Sequence, residues 1–370
     1  MSEANAYAAA GVDTEAGDLA VELMKRAVGA THNDLVVGGL GGFAGMLDVS
    51  FLKSYERPLL ATSTDGVGTK VAIAQAIDKH DTIGQDLVGM VVDDIVVVGA
   101  KSLFMTDYIA CGKVVPERIA DIVRGIAEAC AAVGVALVGG ETAEHPGLLG
   151  PDDYDVAGAA VGAVEASKLL GTHKVKVGDV VLGMESSGLH SNGYSLVRKI
   201  VAESKLDYTK TVAEFGSTSL GEVLLEPTRL YTGVLNTLLE SELGDSVHAM
   251  SHITGGGIAA NLSRVLPTGV SLDVDRSTWS PQDVFKVLSG WGGFSLESVE
   301  GTWNLGLGQA LIVDAASAAA VTNRLNSLGI HTWQLGEIKN APANAVEQGY
   351  ITGAKGVDGG AVRLVGSYRS

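Results

Sequence analysis

The stretch that decides the fold is residues 116–142, PERIADIVRGIAEACAAVGVALVGGET. A proline in the first turn, apolar residues at helical spacing and Gly134 as a stop predict a helix over 116–134. The apolar run 135–138 then predicts a buried strand that ends at Gly139 and Gly140. A helix followed directly by a strand indicates an α/β or α+β fold, with Glu141 just beyond the end of the strand.

The same alternation extends outward in both directions. Strand-like and helical patterns follow one another in both halves of the chain, so both halves are predicted to mix helices with strands. The chain has 370 residues, which is enough for two cores. A polar stretch over 165–178 predicts the boundary, with an N-terminal domain over 1–170 and a C-terminal domain over 171–370.

Composition excludes several classes of protein. Lys and Arg number 26 against 43 Asp and Glu, and the resulting net charge of −17 repels nucleic acid and anionic membranes. The longest apolar run, 87–98, is broken by Asp93 and Asp94, so no membrane span is predicted. Residues 1–10 lack a secretory pattern, and the two cysteines lack metal spacing. We therefore expect a cytoplasmic protein with neither nucleic-acid nor membrane partners.

A glycine run in the first half suits a polyphosphate. Its backbone amides can turn inward and form an anion cradle at Gly38, Gly39, Gly41 and Gly42. The alternative is a plain turn.

A second segment, TDGVGTK at 64–70, follows an apolar strand. Asp65 is suited to hold magnesium, while Lys70 and the amides near Gly66, Gly68 and Thr69 meet phosphate oxygens. The Walker A spacing is absent. The alternative is a structural turn with a surface lysine.

A carboxylate also falls on the apolar stripe of a helix predicted over 82–99. Asp94 shares the face of Leu87 and Val91, and a buried carboxylate is costly unless it is paired or binds a metal. Asp93 and Asp86 are expected to point elsewhere and to be solvated. Asp94 is therefore the better metal ligand, unless it caps a helix or forms a buried salt bridge. Asp107, inside an apolar strand, has a structural pair as its first interpretation.

The second half carries the sequence SSGLHSNG at 186–193, ahead of a helical pattern. Hydroxyl, amide and free N–H groups at a helix start form a phosphate site, which points to Ser187, Ser191 and Asn192. His190 is suited to act as acid, base or charge partner. The alternative is a capped helix start. His252 precedes a further glycine run and is either a ligand contact or a core histidine.

Together these signals describe a nucleotide-dependent enzyme, since no Ser-His-Asp, Cys-His or zinc pattern accompanies them. The ordered motifs resemble those of the AIR synthetase family almost end to end. They are the segments at 10–13, 38–43, 65–70, 80–84, 139–144, 154–158, 187–195, 227–229 and 252–257.

The resemblance implies a two-domain AIR-synthetase-like fold, with an N-terminal ATP-binding domain and a C-terminal α/β domain, and a homodimer. It implies an ATP-dependent cyclo-ligase of purine (IMP) biosynthesis that uses Mg²⁺. Formylglycinamidine ribonucleotide and ATP become aminoimidazole ribonucleotide, ADP and phosphate through an iminophosphate.

The resemblance also implies roles for particular residues. The metal ligands are Asp65, Asp94 and Glu141. The nucleotide-binding set adds Lys25, Gly38, Gly39, Gly41, Gly42, Gly66, Gly68, Thr69, Lys70, Gly139 and Gly140. The substrate-binding set is Ser187, His190, Ser191, Asn192 and His252, and the catalytic set is His190, Asp65 and Asp94.

The chain departs from the family pattern at Asp93, where relatives often carry Asn, and over 298–309. Two alternatives stay open. One is a related synthetase or kinase acting on another acceptor, such as a formylglycinamidine ribonucleotide synthetase, a selenophosphate synthetase or a thiamine-phosphate kinase. The other is a catalytically silent relative.

Overall fold

The structure is a computed structural model that describes residues 13–39 and 41–369. Its α-helices, in chain order, are α1 (Thr14–Gly29), α2 (Val71–Ile77), α3 (Ile83–Val96), α4 (Pro116–Ala132), α5 (Tyr194–Glu203), α6 (Leu220–Leu224), α7 (Thr232–Leu239), α8 (Gly257–Ser263), α9 (Asp283–Gly292) and α10 (Ala318–Ser327). The motif at 10–13 lies outside the described residues except for Asp13, and so does Leu40 of the glycine run.

The strands alternate with these helices in both halves of the chain. They are β1 (Val36–Val37), β2 (Met46–Leu47), β3 (Pro58–Gly66), β4 (Lys101–Cys111), β5 (Ala136–Glu144), β6 (Tyr154–Glu165), β7 (Val180–Glu185), β8 (Val247–His252), β9 (Val270–Asp275), β10 (Leu307–Val313), β11 (Thr332–Asn340), β12 (Ile351–Ala354) and β13 (Val357–Val365). The predicted mixture of helix and sheet is confirmed.

The chain divides into two compact units. The first contains Met1–Ile95, Lys101–Ala166 and Tyr208–Leu230, and the second contains Val96–Ala100, Ser167–Asp207 and Tyr231–Ser370. The two units are therefore not separated by a single boundary between residues 170 and 171, because residues 208–230 belong to the first unit. Buried hydrogen bonds that Thr228 donates to Asp86 hold that returning segment in place.

The first unit is built on a four-stranded sheet of order β3-β6-β4-β5, in which only β4 and β5 run parallel. Helix α3 packs closely on the sheet, since a Cβ on Gly158 would lie 3.3 Å from Leu87 and one on Gly162 would lie 2.4 Å from Ile95. It also meets α4 closely, because a Cβ on Gly84 would lie 2.0 Å from the backbone nitrogen of Ile126. The sheet and helices thus enclose one apolar core.

Two predicted strand ends are wrong in an informative way. Strand β5 does not stop at Gly139 but continues through Glu144, and β3 continues through Asp65 to Gly66. Glycine is a weak strand former, but the ladder to a neighbouring strand supplies the backbone hydrogen bonds that keep it extended. The acidic residues of both motifs therefore lie within strands and not in turns.

The second unit is built on a seven-stranded sheet of order β12-β13-β9-β11-β7-β10-β8. Its centre is apolar, and β7 and β10 are buried along almost their whole length. Tyr231, Leu235 and Leu238 of the α7 region pack with both strands in one core cluster. In the part of the chain that the structure describes, no helix is long and apolar enough to cross a membrane.

Candidate functional site

A cavity of about 610 Å³ lies in the first unit, along the edge strand β5. Helix α1, Gly39 and the segment 41–45 form one side of it, and the strand pair β4 and β5 forms the other. Such a volume is typical of pockets for small molecules. Six residues of the predicted nucleotide site line it, namely Gly39, Gly41, Gly42, Gly139, Gly140 and Glu141.

Two glycines of the 38–42 run adopt a left-handed backbone conformation that residues other than glycine avoid. Gly38 and Gly41 both have φ of +92°, and a Cβ on Gly41 would meet no atom within 4 Å. The backbone at Gly41 is therefore open beside the cavity, as an anion cradle requires.

A row of residues crosses the four-stranded sheet beside this cavity. Asp65 is the register partner of Gly158, Gly158 is the partner of Asp107, and Asp107 is the partner of Gly140. Register partners point to the same face, so the carboxyl groups of Asp65 and Asp107 share a face two strands apart, roughly 10 Å. Sequence patterns did not predict this alignment, because register is a property of paired strands.

Glu141 and Asp65 are both exposed. Glu141 accepts a hydrogen bond from the backbone N–H of Thr142 at 3.0 Å, and Asp65 accepts one from that of Gly66 at 2.7 Å. Each carboxylate is therefore anchored by its own strand while it faces solvent. Asp65 does not line the cavity, nor do Gly66, Gly68 and Thr69.

The predicted orientation of the acids on α3 is wrong. Asp93 is 1% exposed and Asp86 is 0% exposed, whereas Asp94 is only partly buried. The helix is buried nearly all round, so one apolar stripe does not describe its packing.

The structure does not gather the three predicted metal ligands into one cluster. Among the described residues, the one group of three or more His, Cys, Asp or Glu with ligand atoms within 4.8 Å of one another is Asp179, His248 and Asp314. That group lies in the second unit, where Asp179 hydrogen-bonds His248 at 2.7 Å. A metal site at Asp65, Asp94 and Glu141 stays a prediction.

Lys70 is placed differently from the phosphate contact that the sequence suggested. Its side chain is fully buried, and its ammonium group donates to Asp86 and to the backbone carbonyl of Glu226, both at 2.7 Å. Thr228 donates to the same Asp86 oxygen from both its amide and its hydroxyl. Desolvation lowers the pKa of Lys70 and raises that of Asp86. In this conformation Lys70 belongs to a closed structural network.

Lys25 lies on α1 with its side chain 60% exposed and is paired with Glu22 at 3.4 Å. It does not line the cavity.

The predicted substrate loop lies in the second unit, ahead of α5. His190 is 1% exposed and has a φ of +59°, a conformation that a residue other than glycine adopts only when its surroundings hold it there. The backbone N–H of Ser187 donates to Nε2 of His190 at 3.2 Å, so Nδ1 carries the proton of the neutral ring. The loop is therefore built around an oriented imidazole, with Ser187, Ser191 and Asn192 half-buried beside it.

A glycine in β10 makes room for that imidazole. A Cβ on Gly308 would lie 2.7 Å from Cε1 of His190 and 1.9 Å from the hydroxyl oxygen of Tyr231. The next residue, Gln309, is the register partner of His252, which is 6% exposed. His190 and His252 thus both lie at the Gly308 end of β10, a proximity that no spacing in the sequence indicated.

Comparison with known proteins identifies two adjacent family matches. Residues 41–164 match the model of the AIR synthase related protein N-terminal domain, and residues 176–348 match that of the C-terminal domain.

The chain resembles solved structures at low identity. A thiamine-monophosphate kinase from Stenotrophomonas maltophilia has a TM-score of 0.61 at 17% identity and covers 94% of this chain and 96% of its own. The hydrogenase maturation protein HypE in complex with ATP has a TM-score of 0.60 at 17% identity, with 95% and 92% covered. These two likenesses concern the fold alone.

Curated relatives are much more similar in sequence. A protein from Thermosynechococcus vestitus is 47% identical over 332 residues, which is 90% of this chain and 96% of the relative. One from a Geobacillus species is 48% identical over 337 residues, with 91% and 96% covered. Both are named phosphoribosylformylglycinamidine cyclo-ligase. The chain therefore belongs to the AIR synthase family, in the branch of the phosphoribosylformylglycinamidine cyclo-ligases.

Proposed function

We propose that this enzyme closes the imidazole ring of a purine precursor. It converts formylglycinamidine ribonucleotide and ATP into aminoimidazole ribonucleotide, ADP and phosphate. The observation that carries the proposal is the identity of 47–48%, over about nine-tenths of the chain, to relatives that bear the name of this activity. Because its relatives bear the name of a metabolic enzyme, we propose that it acts in the cytoplasm.

The cavity of the first unit is the proposed ATP site. A protein with a net charge of −17 must supply local positive potential to hold a triphosphate. Backbone amides at Gly39, Gly41 and Gly42 are suited to this role because the glycines leave the peptide groups accessible. Apolar side chains from α1 and β5 line the rest of the cavity and suit a nucleotide base.

The donor chemistry beside the cavity fits magnesium. Mg²⁺ prefers oxygen ligands, keeps several waters and is bound through one or two carboxylates together with substrate phosphates. A preformed cluster is therefore not required, and the exposed carboxylate of Glu141, which lines the cavity, is the first residue that would hold the ion. Asp65 and partly buried Asp94 stay predicted ligands, although strand register directs Asp65 to the sheet face opposite Glu141. The ion, when bound, supplies neutralisation of the charge on the transferred phosphoryl group.

The chemistry follows from the poor leaving-group character of an amide oxygen. Transfer of the γ-phosphoryl group to that oxygen gives an iminophosphate, and an internal nitrogen then attacks the same carbon and expels phosphate. Ring closure is efficient because the nucleophile and the activated carbon belong to one molecule. The protein mainly orients the groups and stabilises charge.

His190 and its loop are the proposed contact to the ribonucleotide. The proton on Nδ1 makes His190 a donor, while Ser191, Asn192 and Ser187 precede the helix start at Tyr194 and suit a phosphate. His252, at the end of strand β8 beside β10, is the second proposed contact to the ribonucleotide.

A homodimer through the first unit is also proposed. The face of the four-stranded sheet opposite α3 and α4 presents Leu60, which is 69% exposed, and Tyr108, which is 41% exposed. Large apolar side chains on an open sheet face favour burial against a second copy. Light scattering of the purified chain measures the mass, and a monomer at micromolar concentration contradicts the proposal.

The activity is tested by ADP release and by formation of aminoimidazole ribonucleotide with purified enzyme, ATP and Mg²⁺. Formylglycinamidine ribonucleotide is compared with thiamine phosphate and selenide as acceptors. We expect turnover with the first alone. Turnover with another acceptor identifies a related kinase or synthetase, and no ADP with any of them identifies a silent relative.

A further inference from the structure

Asp107 is a buried carboxyl group that the proposed reaction leaves without a role. It lies in β4, lines the cavity and is only 9% exposed. Its carboxyl group interacts with its own backbone amide. Among the residues that the structure describes, no cation and no side-chain donor is paired with it. A buried acid with unused acceptors, facing a cavity, marks a place where a ligand donates.

The opposite strand is shaped to leave room for this carboxyl group. Gly140 is the register partner of Asp107, and a Cβ at Gly140 would lie 2.2 Å from Oδ1 of Asp107. Any larger residue at position 140 therefore displaces the carboxyl group or the strand. Gly140 therefore lines the cavity and also leaves the space that the carboxyl group of Asp107 occupies.

The surroundings decide which part of a nucleotide can meet Asp107. Val123 and Leu137 border the same cavity, and burial raises the pKa of Asp107 to about 7. A carboxyl group without a neighbouring cation repels a triphosphate, which belongs instead beside the glycine backbone of 39–42. The apolar side chains of Val123 and Leu137, next to the buried acceptor of Asp107, suit a flat heterocycle with an N–H donor on its edge.

We infer that Asp107 accepts a hydrogen bond from the exocyclic amino group of the adenine base of ATP, and that Gly140 sets the position of its carboxyl group. This inference rests on the proposed function, which places ATP in the cavity. The assignment makes Asp107 a determinant of nucleotide specificity and separates it from the metal-binding carboxylates.

If Asp107 bound a metal ion, the substitution Asp107→Asn would weaken nucleotide binding, whereas base recognition predicts that this variant keeps the preference for ATP. Asparagine has nearly the shape of aspartate and keeps an oxygen that accepts a hydrogen bond, but it lacks the charge that a metal requires. Leucine has a comparable size and no acceptor. Asp107→Asn and Asp107→Leu therefore form a matched pair that distinguishes base recognition from metal binding.

The test compares the binding of ATP with that of purine riboside triphosphate, which lacks the exocyclic amino group, to the full-length protein by calorimetry with Mg²⁺ present. Wild-type protein is expected to prefer ATP by about five- to tenfold, the range of one hydrogen bond. Asp107→Asn should keep the preference. Asp107→Leu should abolish it by weakening ATP while leaving the analogue unchanged.

Three results overturn the inference. The first is equal affinity of the wild type for both nucleotides, and the second is an unchanged preference for ATP in Asp107→Leu. The third is an equal loss, in both variants, of ATP affinity and of the dependence of that affinity on Mg²⁺. Circular dichroism verifies folding, and Asp107→Ala replaces Asp107→Leu if the latter does not fold. Formation of aminoimidazole ribonucleotide is measured separately, so a failed cyclo-ligase assay with an intact nucleotide preference rejects the proposed function alone.

Discussion

Two regions of the first unit use carboxylates in opposite ways. At the Lys70 network, Asp86 is completely buried and one of its oxygens accepts three hydrogen bonds. At the cavity edge, Glu141 is exposed and its recorded partner is the neighbouring backbone amide. The first arrangement is closed to solvent, although the second oxygen of Asp86 accepts no hydrogen bond from the described residues, whereas the second arrangement leaves acceptor capacity exposed to a ligand.

This difference teaches that residue type and local motif do not separate structural acids from ligand-binding acids. Lys70 stands in the same motif as Asp65, yet its ammonium group is buried and Asp65 is exposed. A buried ion pair is expensive to break but adds little stability by itself. What distinguishes the two regions is whether the protein supplies the partners, and the following substitutions test that distinction.

The largest effect is expected from Asp86→Ala. The substitution leaves the Lys70 ammonium group buried without its counter-charge, which should lower the free energy of unfolding by about 3–5 kcal/mol. Denaturant unfolding measures the loss. The paired variant Lys70→Met with Asp86→Leu should recover most of it, and a single variant as stable as wild type would show that the pair is dispensable.

The next effect concerns pH and Asp107. Its pKa is raised from 3.8 to about 7 by burial, so the folded state holds a proton that the unfolded state releases. The stability from this group is full below about pH 4 and is lost as pH rises towards 7, at about 1.4 kcal/mol per pKa unit. The free energy of unfolding of Asp107→Asn minus that of wild type should therefore rise over this window. A flat difference contradicts the burial argument.

Asp94→Asn should lower turnover at least about tenfold with little change in stability, because it removes a charge that would face the metal during phosphoryl transfer. Steady-state rates at limiting Mg²⁺ measure the effect, with Asp93→Asn as the control that removes the neighbouring, buried carboxylate. Equal turnover of Asp94→Asn and wild type at limiting Mg²⁺ removes Asp94 from the site.

The smallest effect expected is selective and arises in the second unit. His190→Ala should raise KM for formylglycinamidine ribonucleotide several-fold and leave KM for ATP nearly unchanged, because its loop holds the ribonucleotide. Initial rates with each substrate varied in turn separate the two constants. Equal increases in both would mean that the loop assignment is wrong.

Much of the fold was predictable from local patterns. The helix at 116–134 is observed as Pro116–Ala132, and the helix at 82–99 as Ile83–Val96. Strands β9, β11, β12 and β13 were not predicted. The strict alternation of apolar and polar residues in β9 is a signal that could have indicated it, whereas glycines interrupt the pattern in β11, β12 and β13.

By itself the sequence determined the family, the mixture of helices and strands, and the glycine and carboxylate motifs, because these depend on residue types at short spacing. Only the tertiary structure decided that Lys70 pairs with Asp86, that Asp107 lines the cavity opposite Gly140, and that residues 208–230 return to the first unit. Burial and strand register arise from contacts between segments far apart in the chain. No local pattern contains that information.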